Sequence, residues 1–214
     1  MKAYDRHLEE YRSYPFSSFS SIVPANEWGD KALASAYLEK YWLDEQEYHD
    51  QWKSIQERIF DANAMFPARV FKQGFEMIAL RGGCLFMEDD FLKLQRAAMA
   101  VGDQFMVVIQ HSQEFTMGEP MFSLKFPVDI TWDELSNGNY ISAVLLEMGY
   151  NNYFVFGESG SWGKYAANDY EFPLDIIGYQ PELAPIFLKA FEQSMEEKAE
   201  IHAGLPEEYR KAVR

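Results

Sequence analysis

Residues 152–179 read N-Y-F-V-F-G-E-S-G-S-W-G-K-Y-A-A-N-D-Y-E-F-P-L-D-I-I-G-Y. This stretch constrains the fold more than any other. Tyr153, Phe154, Val155 and Phe156 form a β-branched and aromatic run. Gly157-Glu158-Ser159-Gly160-Ser161 interrupts it, and a second extended run begins at Trp162. Two apolar runs joined by a short Gly/Ser cluster predict a β-hairpin. A third strand follows at residues 173–177, with Pro173 at a position a strand's first residue tolerates. Such a unit needs further strands or helices to bury its faces.

The flanking sequence supplies both. Residues 75–81 and 104–110 (Q-F-M-V-V-I-Q) predict strands, the second a central one because its apolar run is continuous. Residues 84–87 predict a short strand, and residues 121–126 a half-exposed one with Phe122, Leu124 and Phe126 on one face. Residues 141–148 are also read as a strand leading through a turn into Tyr153. Helices are expected at residues 4–14, from Asp30, and at residues 44–60, the last two as an antiparallel pair. Another spans residues 89–101 and stops at Gly102. Thr131 and Glu134 have the spacing of a capping box. A long C-terminal helix is expected from Pro181 to about His202. The fold class is therefore α+β. A helical N-terminal part (1–66) precedes a mostly antiparallel sheet core (67–180) and C-terminal helices (181–214), in one domain.

Of 214 residues 48% are hydrophobic and 16% aromatic, which is enough to offset ordering entropy. No apolar run reaches the ~18 residues of a membrane span, and the N-terminus carries no signal-like apolar region. The one cysteine, Cys84, sits beside Leu85, Phe86 and Met87, which fits a buried thiol in a reducing cytosol. The net charge of −15 is uneven: residues 103–175 hold eleven acids and two bases, Lys125 and Lys164. Nucleic acid and anionic membranes are disfavoured as partners, because phosphates need Lys/Arg clusters. A basic protein is favoured by electrostatic steering. The same bias also serves solubility.

Catalytic and metal motifs fit poorly. G-E-S-G-S at 157–161 lacks the last glycine of a nucleophile elbow and precedes a strand, not a helix. No phosphate-binding glycine motif is present. Glu45 and His49 stand four apart, but Gln46 occupies the position a di-iron E-x-x-H motif would need. Glu88-Asp89-Asp90 reads as the start of a helix and lacks an EF-hand loop. The sequence selects no metal and no cofactor. A hydrolase-like enzyme with a carboxylate-lined cleft is the alternative reading, although no pair of acids is singled out.

Tyrosines and Trp162 interleave with acids across the hairpin region, a mixture suited to interface anchors. At these residues the sequence resembles a family. F-G-E-S-G-S-W-G-K-Y-A-A-N-D-Y followed by P-L-D-I-I-G-Y is similar to the C-terminal half of small cytosolic proteins of bacterial polymorphic-toxin loci, many of them immunity proteins. The resemblance covers about residues 120–180. It implies binding and neutralising a cognate toxin domain, often a basic nuclease, by occlusion. On this reading Glu147, Glu158, Asp169, Glu171 and Asp175 supply the attracting field. Trp162, Tyr165 and Tyr170 supply the packed anchors, with Trp162 also suited to the core.

Overall fold

A computed structural model describes residues 2–14, 20–61, 63–111, 122–147, 151–168 and 170–213. Its centre is a six-stranded antiparallel sheet of β1 (Glu76–Arg81), β2 (Phe105–His111), β3 (Ser123–Pro127), β4 (Asn152–Gly157), β5 (Trp162–Ala167) and β6 (Leu174–Tyr179). The spatial order is β1-β6-β5-β4-β2-β3. The expected hairpin is present, with Phe154 opposite Tyr165 and Val155 opposite Lys164. The third strand completes it: Tyr165 lies opposite Ile176 on β6. β2 is interior, next to the edge strand β3. The fold is α+β, as the pattern of runs predicts.

Both faces of the sheet are buried. On one face lie α1 (Asp5–Glu10), α2 (Lys31–Tyr41), α5 (Glu88–Val101), α6 (Trp132–Ser136), α7 (Tyr140–Glu147) and α8 (Ala184–Ala190). They pack on Ile78, Val108, Val155, Trp162 and Ile177. On the other face α3 (Glu45–Glu47), a π-helical turn (Tyr48–Trp52) and α4 (Lys53–Ile59) run without interruption. They are joined there by α9 (Met195–Gly204) and α10 (Glu207–Arg210). Phe154, Phe156, Tyr165 and Ile176 form the floor on that side. Side chains alternate between the faces, so each strand serves both cores.

The chain changes face by passing around each edge of the sheet. At the β3 edge Trp42 bridges Leu124. Leu43 N donates to Ser123 O at 3.1 Å, and Ser123 Oγ donates to Leu43 O at 2.8 Å. The two N-terminal helices expected to pair with each other therefore lie on opposite faces. At the β1 edge Gln193 Nε2 donates to Ala79 O at 2.9 Å, and Val213 bridges Met77. Both edges are thus occupied, which blocks pairing with another chain.

That second crossing divides the expected long C-terminal helix. α8 ends at Phe191 (φ −116°, ψ 47°), and Ser194 caps α9 by accepting from Glu197 N. Two strand expectations also fail. Residues 140–147 form α7, buried on every side, and a uniformly apolar run carries no period to separate helix from strand. Residues 84–87 form a loop, because Gly82 closes the β1 ladder on Pro173 O and the chain then folds down over β5. The local signals hold. Asp30 caps α2, Thr131 and Glu134 form the capping box of α6, and Gly102 ends α5 at φ +98°. In α2, Leu33 is exposed while Ala34, Tyr37, Leu38 and Tyr41 turn inward. Among the described residues no helix is long and apolar enough to cross a membrane.

Candidate functional site

A cleft of about 880 Å³ opens at the end of the sheet where β1 finishes and β4 begins. Four segments line it: Ser21–Ile22, the loop and helix start from Cys84 to Glu88, α6 with Asn137, and the end of α7. Each arrives there for a local reason. The capping box fixes the first turn of α6, which sets Trp132 and Asp133 at the mouth. Glu88 opens α5, where the helix dipole favours an acid. Glu147 ties the N-terminal segment down: its Oε1 accepts from Ser21 N (2.8 Å), Ser21 Oγ (2.6 Å) and Ile22 N (3.1 Å).

The lining carries three carboxylates, Glu88, Asp133 and Glu147, and no Lys, Arg or His. Glu88 and Asp133 are exposed and form no ion pair with any described residue. Apolar surface lies beside them: Met87 is 61% exposed, which is unusual for so large an apolar side chain, and Trp132 is half-buried. Acids flanking an exposed thioether and an indole suit a cation with an aliphatic or planar stem. Two smaller hollows differ in sign. One, of about 500 Å³ between α5 and α8, carries Arg96 and Lys189. The other, of about 330 Å³ beneath α9, carries Lys198 and His202.

Cys84 also lines the cleft. Its Sγ lies 3.4 Å from Phe86 O and 3.3 Å from Met87 Sδ. Burial pushes its pKa up, against a smaller lowering by Lys164. The thiol is thereby kept protonated, the opposite of what an activated nucleophile needs.

Most of the residues singled out from sequence lie elsewhere. Only Glu147 reaches the cleft. Glu158 stands at the opposite end of the sheet and accepts from Gln104 N at 2.8 Å. Trp162 and Tyr165 are fully buried, so they are core residues and not surface anchors. Trp162 Nε1 donates to Asp103 Oδ2 at 2.5 Å, and Tyr165 Oη lies 3.0 Å from His111 Nδ1. Tyr170 packs edge-on against Phe66, and Glu171 is exposed on the β5–β6 connection. Asp175 is buried in an ion pair with Lys164. Asp169 lies outside the described residues. These acids therefore do not share one face. Ser159, at the suspect serine motif, belongs to a turn: its N–H donates to Asp103 Oδ1 at 2.7 Å and its Oγ contacts Ser161 Oγ.

Met87, Glu88, Trp132 and Asp133 were legible from sequence only as helix starts and apolar neighbours. What joins them is the packing of α5 and α6 on one face, which no local spacing encodes. Comparison with protein-family models, curated proteins and solved structures found no match.

Proposed function

We propose that this protein is an acidic binding module that receives a basic protein partner at the cleft between α5, α6 and α7. The observation that carries the reading is a lining with three carboxylates and no cation, set beside exposed Met87 and half-exposed Trp132. A net charge of −15 favours rapid encounter with a positively charged surface. Desolvated contacts to Met87 and Trp132 would then set the dissociation rate. Together with the resemblance at residues 120–180, this supports an immunity protein of a bacterial toxin locus. It would act in the cytosol and neutralise its cognate toxin by occlusion, without chemistry of its own. The toxin encoded beside it is the partner to test.

Two variants with equal loss of charge separate a cleft from a diffuse field. E88Q/D133N removes the two unpaired carboxylates of the cleft, and E196Q/E197Q removes two exposed acids from α9. The cleft variant is expected to bind a deca-lysine peptide or the toxin domain about tenfold more weakly, equivalent to ~1.4 kcal/mol, with little change in the α9 variant. Equal weakening in both would reduce the attraction to net charge alone.

A further inference from the structure

The inner wall of the cleft is the loop carrying Cys84, Leu85, Phe86 and Met87, and it belongs to no strand or helix. Its last ladder bond is Gly82 N–H to Pro173 O at 3.0 Å. Beyond that point a buried cation grips it from beneath. Lys164 Nζ, from the middle of β5, donates to the Leu85 carbonyl and lies 4.8 Å from the centre of the Phe86 ring. On its other side Asp175 Oδ2, from β6, stands 2.7 Å away. The two side chains are 3% and 5% exposed.

This pair is hard to explain as a device for stability. Its neighbours on the same sheet face, Trp162, Ala166, Ile177 and Tyr179, are all apolar and buried. Apolar residues at 164 and 175 would complete that surface, and replacing a buried ion pair in this way is commonly neutral or stabilising. The pair is also imperfectly satisfied, since Asp175 Oδ1 accepts no hydrogen bond among the described residues. An apolar pair cannot hold a loop carbonyl or present a cation to a ring face.

We propose that Lys164, oriented by Asp175, is the positioning residue that fixes the 84–87 wall and so shapes the cleft. The role rests on the reading of the cleft as a binding site, but the wall's rigidity can be measured with no ligand present. Cys84 is the only cysteine in the chain and lies in that wall, so its modification by 4,4′-dithiodipyridine reports directly on the loop.

The test variant is K164M/D175L, which fills the space with apolar atoms. Its melting temperature should equal or exceed that of the parent, while Cys84 reacts about tenfold faster. Affinity for a deca-lysine peptide should fall with it. K164M alone is a second arm, because Asp175 can then take up a proton and stay neutral. Loss of the Lys164 charge raises the thiol pKa, which would slow the reaction, so acceleration in this variant reads exposure of the loop. Cys84 reactivity within about twofold of the parent in either folded variant would overturn the positioning role. Peptide binding that is insensitive to E88Q/D133N would instead count against the cleft as a binding site and leave the positioning result standing.

Discussion

At Trp162 one hydrogen bond holds together three parts of the chain. The indole donates to Asp103, whose carboxylate also accepts from the Ser159 N–H and hydroxyl, locking the β4–β5 turn to the start of β2. W162F keeps most of the ring volume but deprives a buried carboxylate of a donor. Denaturant unfolding should show a loss of about 1–3 kcal/mol. Asp175 makes a different prediction. Burial, the main cause, raises its pKa to about 6 against the opposing pull of Lys164, while Asp90 on α5 adds a smaller push upward. The folded state therefore holds this proton more tightly than the unfolded chain, whose value lies near 3.8. Its penalty is fully present above pH 6 and is relieved as pH falls from 6 toward 4, so this group alone makes the protein more stable on mild acidification. D175N should remove that component from a stability profile measured over this range.

Among the elements, the hairpin, the caps of α2 and α6 and the glycine stop of α5 were legible because each depends on residues within one or two turns. The strand reading of residues 141–148 failed where every side chain is apolar and no period survives. The single C-terminal helix failed for a reason outside its own sequence: the chain had to cross the β1 edge, and Gln193 and Ser194 make that crossing. β5 and β6 also depend on two facing glycines. Gly163 and Gly178 are register partners, and their missing side chains let the rings of Phe60 and Phe71 lie on the sheet. A Cβ on Gly178 would come within 2.4 Å of the Phe71 ring. G178A should therefore destabilise by about 1–3 kcal/mol in thermal or urea unfolding, through overpacking.

For the whole molecule, the governing fact is a sheet covered on both faces and occupied along both edges. Sequence pattern separated strands from helices but could not say which helix covers which face. The cleft depends on that assignment, because Glu88 and Asp133 meet only when α5 and α6 share a side. The strand aromatics were drawn inward by the same two-sided burial, so Trp162 and Tyr165 could not serve as surface anchors. Ending the chain at Gln193 would uncover the β1 edge and the face beneath Ile201, Leu205 and Tyr209. Such a truncation should associate into larger species on size-exclusion chromatography, as exposed edge strands do.

The most direct measurement is a footprint on Cys84 with a basic partner present, either the neighbouring toxin domain or a deca-lysine peptide. Because the thiol lies within the acidic cleft, occupancy should slow its modification by about tenfold, with protection fading at high salt and lost in E88Q/D133N. Unchanged reactivity under saturating partner would place the binding surface elsewhere and contradict the account.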